Sequence, residues 1–383
     1  MGRYHLLVAA PPRCATGPKS RLPRPRQMRG KALYDQVRRT ADPNIPEPRI
    51  GGACKIAGGK GCSSDRRPVW AMRQCPATTN NLRELHFWIL AYNCRMAKAA
   101  ASTGTMPMAL VAVEQYFPKA RRVIDDGLAV RLLPLVGMIF VRLLRPRWMR
   151  DWIIGLSEKS NPGIWGGLLC RKRYIDEKIA DSRNEVEAVV NLGAGFDTRP
   201  YRLSALSGLP VWEVDQRENV EPKKKRLRRV LGMIPANVKP VVADFDRDDL
   251  GFILAAQGFS AAKRTFFVWE AVSQYLTEPG VRAVFDWLAK AAPGSRLAFT
   301  YVRKRFLDGK NLYGWESGYK RFVASKIWLF GMEPENCPSF LNGYGWRMIE
   351  DVSYAELAEK YIGPPARRLT STPVERMVYA EKV

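Results

Sequence analysis

Val186-Glu187-Ala188-Val189-Val190-Asn191-Leu192-Gly193-Ala194-Gly195-Phe196-Asp197-Thr198-Arg199-Pro200-Tyr201-Arg202-Leu203 carries the pattern that fixes the fold class of this chain. Ala188 to Leu192 is a β-forming run without clear alternation, the pattern of a strand buried on both faces of a parallel sheet. Gly193 and Gly195 then allow a tight turn and a close backbone approach that a Cβ would block. A strand feeding a glycine turn at the carboxyl edge of a sheet is where doubly wound α/β folds bind nucleotides. A G-x-G by itself fits a purely structural turn as well. The residues C-terminal to it shift the balance.

A dinucleotide loop reads G-x-G-x-x-G, with the third glycine packing the helix close and the pyrophosphate on its N-terminus. Here Thr198 takes the place of that glycine and Asp197 lies inside the loop. A carboxylate there is expected to repel a pyrophosphate and to suit a cationic or polyhydroxylic ligand. S-adenosyl-L-methionine, with its ammonium, sulfonium and ribose, is such a ligand.

Further along the chain, a second strand Val211-Trp212-Glu213-Val214 closes at Asp215, 20 residues beyond Gly195. That is the distance at which a strand-end acid reaches a ribose hydroxyl pair. A third strand from Lys239 to Ala243 closes at Asp244-Phe245, an acceptor plus an apolar wall suited to an adenine. A fourth from Thr265 to Trp269 closes at Glu270, and a fifth runs from Ser295 to Val302. Helices are expected between them at Asn219 to Leu231, Asp248 to Gln257 and Glu278 to Ala292. One strand-end acid is unremarkable as a solvated loop residue. Three closing successive units of one α/β repeat form a pattern.

Taken in order, Asn191-Leu192-Gly193-Ala194-Gly195-Phe196-Asp197-Thr198-Arg199, Glu213-Val214-Asp215, Asp244-Phe245 and Glu270-Ala271-Val272-Ser273-Gln274-Tyr275-Leu276 resemble the leucine carboxyl methyltransferase family. The likeness is to its bacterial branch of S-adenosylmethionine-dependent O-methyltransferases. Upstream, Arg171-Lys172-Arg173-Tyr174-Ile175-Asp176 and Asp125-Asp126-Gly127-Leu128-Ala129 fit the same pattern. Downstream, Gly345 to Glu350 and Val374 to Ala380 resemble its closing strands. The resemblance implies a class I, Rossmann-like methyltransferase fold: α/β, a mostly parallel sheet, an antiparallel C-terminal strand and a helical lid. It also implies a cofactor, S-adenosyl-L-methionine. Arg171 would hold the methionine carboxylate by a bidentate contact, Gly193 and Gly195 would admit the methionine moiety, and Asp215 would bind the ribose. Asp244 and Phe245 would take the adenine, and Glu270 would face the methionine end. Two departures stand out: Val113-Glu114-Gln115-Tyr116 replaces the family's arginine-rich helix, and Phe245 replaces a commoner leucine.

The chain of 383 residues carries a net charge of +25, but unevenly. Residues 1–78 hold 16 lysines and arginines against 4 acids, a net +12, with few periodic aliphatic stretches. Such a segment buries too little apolar surface to offset its chain entropy. It is expected to be a disordered basic, Pro-rich extension, or residues upstream of a true start at Met72 or Met96; a nucleic-acid-binding arm is the alternative. Residues 79–383 are expected to form the methyltransferase domain, with a helical cap over 79–183, the cofactor-binding core over 184–302, and a lid insert with closing strands over 303–383. Cys14, Cys54, Cys62 and Cys75 fit no zinc spacing, so no metal is expected, and Cys94, Cys170 and Cys337 read as buried thiols. Leu6 to Ala10 is too short for a signal-peptide core, and the apolar stretch Leu132 to Leu144 is too short to span a bilayer, so it is read as a core or lid helix. The expected address is cytoplasmic, without a membrane partner. The run Lys223-Lys224-Lys225-Arg226-Leu227-Arg228-Arg229 is read as a solvated helix face.

A sulfonium makes its methyl group electrophilic, so catalysis of transfer is largely positioning and desolvation. An ionised carboxylate acceptor needs no general base, whereas a hydroxyl does, and histidine is the usual one. The only histidines are His5 and His86, both before the resembling region. This scarcity favours a carboxyl or acidic hydroxyl of a small molecule as acceptor, with Trp269, Gln274 and Tyr275 as candidates on the acceptor side. An insert carrying Tyr313, Trp315, Tyr319 and Trp328 is expected to close over the site as an aromatic lid, or else to pack as core. Glu270-Ala271-Val272-Ser273 stands where a base-flipping enzyme shows Pro-Pro-Tyr, which disfavours a nucleic-acid substrate. A protein methyltransferase and a non-catalytic binding module remain alternatives.

Overall fold

A computed structural model describes residues 105–363 and 369–383. The expected extension over residues 1–78, together with Cys94 and both histidines, lies outside the described residues. The described chain begins with helices α1 (Thr105–Glu114), α2 (Ala129–Leu132), α3 (Leu135–Leu143), α4 (Arg147–Ser160) and α5 (Ile164–Asp181). Pro134 and Pro146 stand immediately before α3 and α4, where a missing N–H costs no helical hydrogen bond. Gly163 enters α5 at φ +76°, and a Cβ there would lie 2.2 Å from the carbonyl carbon of Ser371. That turn is therefore confined to glycine.

The sheet follows: β1 (Ala188–Leu192), β2 (Val211–Asp215), α6 (Arg217–Leu231), β3 (Val238–Val242), α7 (Leu250–Ala256), β4 (Thr265–Trp269), α8 (Glu278–Leu288), β5 (Arg296–Val302), β6 (Trp346–Ser353), α9 (Tyr354–Tyr361) and β7 (Glu375–Lys382). Its order is β3-β2-β1-β4-β5-β7-β6. The first five strands are parallel, and β7 runs antiparallel between β5 and β6. This is the expected mostly parallel α/β sheet with an antiparallel C-terminal strand.

Every residue of β1, β2 and β4 is buried, which explains the missing alternation. Ala188, Val190 and Leu192 face one apolar layer with Phe267, Trp269 and the α8 residues Val281, Val284 and Phe285. Val189 faces the opposite layer with Val211, Phe266 and the α5 residues Leu169, Ile175 and Ile179. Each fully buried side chain of this size contributes about 1.5–3 kcal/mol relative to exposure. Both layers converge on β1, and that fixes where its glycine turn emerges.

Three expectations change. The stretch Leu132 to Leu144 is helical mainly over α3, but it is not wholly core: Gly137, Val141 and Leu144 are buried, while Leu135, Val136, Ile139 and Leu143 are exposed. The basic run lies on α6, where Lys225, Arg228 and Arg229 are indeed exposed, but Lys223 is buried and pairs with Glu213 of β2 at 2.7 Å. The aromatic insert makes a small core of its own, with Phe306, Trp315 and Trp328 packed around Val302 and Val374. Cys170 and Cys337 are buried thiols as expected, and burial pushes the Cys170 thiol up to about 12.

Candidate functional site

The strand order reverses between β1 and β4, so the loops leaving their carboxyl ends diverge and leave a crevice. A cleft with about 980 Å³ of atom-free space opens there. On one side, Gly193 and Gly195 take φ +72° and +41°. The amides of Gly193 and Ala194 both donate to the carbonyl of Val214, at 2.8 and 3.0 Å, which pins the turn to β2. A Cβ on Gly193 would sit 2.2 Å from Cγ2 of Val272. On the other side Ala271 is held at φ +55°, and its amide donates to Thr300 Oγ1 at 2.7 Å. A left-handed alanine is a strained residue, of the kind that concentrates at functional sites.

Asp215 closes β2 at the cleft wall. Its carboxylate accepts from the amide of Gly195 at 2.6 Å, the amide of Gln216 at 2.7 Å and Asn219 Nδ2 at 2.8 Å. A carboxylate has about four acceptor sites, so these three donors leave capacity unused. Burial pushes its carboxyl above the usual range, against these three donors. Phe245 and Asp246 line the same cleft, but Asp244 does not. Asp244 instead accepts from the amide of Asp246 at 3.1 Å and steadies the loop.

The floor is a buried ionic network. Glu270, at the end of β4, meets Arg171 at 2.8 Å, Lys172 at 3.2 Å and Arg199 at 2.7 Å. Arg199 also pairs with Asp197 at 2.7 Å and with Asp176 at 2.6 Å. Burial opposes ionisation of Glu270, but Lys172, Arg199 and Arg171 together hold its carboxyl well below the usual range. Asp197 is likewise held low by Arg199 and Lys172 against its burial. Burial pulls the Lys172 ammonium below its ordinary value. Arg171 Nε donates to Glu270, and its Nη1 donates to Tyr354 and Glu375.

Of the sequence-derived site residues, the cleft brings together Arg171, Gly193, Gly195, Asp215, Phe245 and Glu270, and leaves Asp244 outside its wall. Two expectations need correction. Asp197 is no bare charge in the loop, because Arg199 and Asn191 occupy its Oδ2 at 2.7 and 2.8 Å. Its carboxylate therefore discriminates between ligands far less than the sequence suggests. On the acceptor side Tyr275 lines the cleft, whereas Gln274 is buried and bonded to Glu375. Trp269 is fully buried against Phe285. The aromatics of the insert stand behind Tyr275, whose ring meets Trp328 edge-on at 6.4 Å, and none of Tyr313, Trp315, Tyr319 or Trp328 lines the cleft.

Several residues at the site escaped the sequence reading. Pro107 and Met108 of α1, Asn219 of α6 and Asp246 join the wall. Lys172 was visible only as a neighbour of Arg171. Arg199 carried a signal, standing two residues from an acid within a motif that otherwise turns.

The family model "Leucine carboxyl methyltransferase" matches residues 104–289, a span that holds every residue lining the cleft. A Mycobacterium avium (strain 104) protein named "Putative S-adenosyl-L-methionine-dependent methyltransferase" is 31% identical over 264 residues, covering 66% of this chain and 84% of its own length. The chain belongs to the leucine carboxyl methyltransferase family. A family relative of the same name from Mycobacterium bovis (strain BCG / Pasteur 1173P2) is 35% identical over 216 residues, or 54% of this chain and 68% of its own. A crystal structure of a duf574 family protein from Streptomyces avermitilis is also similar to this leucine carboxyl methyltransferase family member. It has 15% identity and a TM-score of 0.46, over 61% of this chain and 91% of that one. Among the described residues of this family member, no cluster of His, Cys, Asp and Glu could hold a metal ion, and no helix is long and apolar enough to cross a membrane.

Proposed function

We propose that the cleft transfers a methyl group from S-adenosyl-L-methionine to a carboxyl or acidic hydroxyl oxygen of a small molecule. The coarser part follows from family membership: the chain is an S-adenosyl-L-methionine-dependent methyltransferase. The cleft wall fits such a donor. It offers cations at Arg171 and Lys172, a carboxylate with spare acceptor sites at Asp215, and apolar surface at Phe245, Leu276 and Met108. In this reading Asp215 takes the ribose hydroxyls, Phe245 packs against the adenine and Arg171 orients the carboxylate. When bound, S-adenosyl-L-methionine supplies a methyl group made electrophilic by its sulfonium.

What the chain's own residues do is bind, orient and exclude water. The observation that carries the acceptor assignment is the state of the floor carboxylates. Asp197 and Glu270 are locked into ion pairs with Arg199, Arg171 and Lys172. Neither is poised to remove a proton, and both histidines lie outside the matched span. An acceptor that arrives already ionised, a carboxylate or an acidic phenol, needs no such base. The test is the chemistry of the product: a methyl ester is lost to mild alkali and an ether is not. Alkali-labile product assigns the carboxyl, an alkali-stable methyl located on oxygen assigns the acidic hydroxyl, and transfer to nitrogen or carbon would refute both.

A further inference from the structure

Helix α3 turns an apolar stripe to solvent. Leu135 is 68% exposed, Val136 56% and Ile139 50%, and Leu143 continues the same face one turn beyond Ile139. Helix α4 carries a second stripe at helical spacing, Trp148, Trp152 and Leu156, with Trp148 65% exposed. The two helices are joined at Arg145-Pro146, and every residue from Arg145 to Trp148 is exposed. Basic groups crowd these stripes. Arg131, Arg142, Arg145, Arg147 and Lys159 are exposed in this region, against the exposed Asp151 and the half-buried Glu158, and Asp151 is matched by Arg147 at 3.5 Å. Arg131 of α2 donates to the carbonyl of Val230 at 3.1 Å, which ties this region to the end of α6. There Lys225, Arg228 and Arg229 are exposed, and Met233 just beyond is 71% exposed.

From this we infer that α3 and α4 form a docking surface for an anionic phospholipid bilayer. Leucine, isoleucine and tryptophan stripes rimmed by arginine are the composition of helices that lie in a membrane interface. Anionic headgroups attract such a rim, and the attraction is lost with salt. The charge pattern also argues against another occupant. A second copy meeting the same patch across a two-fold axis would oppose arginine to arginine. No described helix crosses a membrane, so the contact is peripheral. Helix α1 packs in the same apolar layer as α3 while its Pro107 and Met108 line the cleft, so the docking face and the cleft share one layer of helices.

The experiment is sedimentation of the full chain with vesicles of phosphatidylglycerol and phosphatidylcholine against vesicles of phosphatidylcholine alone, at low and high salt. The wild type is expected to partition at least tenfold more strongly onto the anionic vesicles, with the difference reduced at high salt. Ile139→Glu and Trp148→Glu should each weaken that partitioning at least fivefold while melting temperature and S-adenosyl-L-methionine binding stay unchanged. Arg142→Glu/Arg145→Glu, which spares the apolar stripe, provides a second variant and should weaken it similarly. No partitioning onto either vesicle, or self-association that Ile139→Glu abolishes without any vesicle binding, overturns the inference. Partitioning that responds to the arginine variant but not to Ile139→Glu or Trp148→Glu also overturns it, since the apolar face would then play no part.

Discussion

Arg199 donates to Glu270 at 2.7 Å across 71 residues of sequence, joining the tail of the glycine loop to the end of β4 beneath the cleft. Both side chains are almost wholly buried. Two buried charges are tolerated only because each has several partners, and removing one leaves the others uncompensated. Glu270→Gln leaves Arg171, Lys172 and Arg199 without their shared carboxylate. Chemical denaturation should show a loss of about 3–5 kcal/mol. Arg199→Met should cost a similar amount, and the double variant should lose less than the sum of the two. Additive losses would mean that the pair is not coupled.

Asp215→Ala should weaken S-adenosyl-L-methionine binding at least about tenfold by calorimetry, since hydrogen bonds to a charged group contribute about 1.5–3 kcal/mol each. The same substitution removes the acceptor that holds the Gly195 amide at 2.6 Å. A modest stability loss of about 1–3 kcal/mol should therefore accompany it. Unchanged affinity in a folded variant takes Asp215 out of the binding site.

Gly193→Ala combines a left-handed backbone, about 1–2 kcal/mol for a residue with a Cβ, with a contact 2.2 Å from Val272 Cγ2. It should lower the melting temperature and abolish donor binding. Adding Val272→Ala should relieve the contact but not the backbone, recovering part of the stability only. Full recovery would show that the positive φ is not required.

Acid stability follows from the floor of the cleft. Glu270 and Asp197 have folded pKa values depressed below their unfolded ones. Their contribution is fully present above the unfolded values, about 4, and is lost as pH falls toward the folded ones. Asp126 and Asp215 are shifted upward by burial and act in the opposite sense. The wild type should therefore lose stability more steeply than Glu270→Gln as pH drops from about 5 to about 3. Equal slopes in urea melts at stepped pH would contradict the assigned ionisation of Glu270.

How much of this could be read from the residues varies by element. β1 and β4 match their expected limits, Ala188 to Leu192 and Thr265 to Trp269, because strands buried on both faces leave unbroken β-forming runs. Helix limits drifted. α7 starts at Leu250, two residues after the expected Asp248, because Asp249 caps it by accepting from the Phe252 amide. The strand-end acids were legible because fold geometry puts acids there at fixed intervals. Their partners were not. Arg199 bridging Asp176 and Glu270, or Lys223 bridging to Glu213, joins elements whose proximity exists only after the sheet has formed. Trp269 looked like a site residue since it precedes Glu270, but the period-two alternation of a strand turns it to the opposite layer.

The decisive assay is transfer of labelled methyl from S-adenosyl-L-methionine by the full chain into a fractionated extract that contains small molecules, protein, RNA and DNA. Label should enter the small-molecule fraction in the wild type and fall at least tenfold with Asp215→Ala at limiting donor concentration. Label that enters RNA or DNA faster than the small-molecule fraction would contradict a small-molecule acceptor outright.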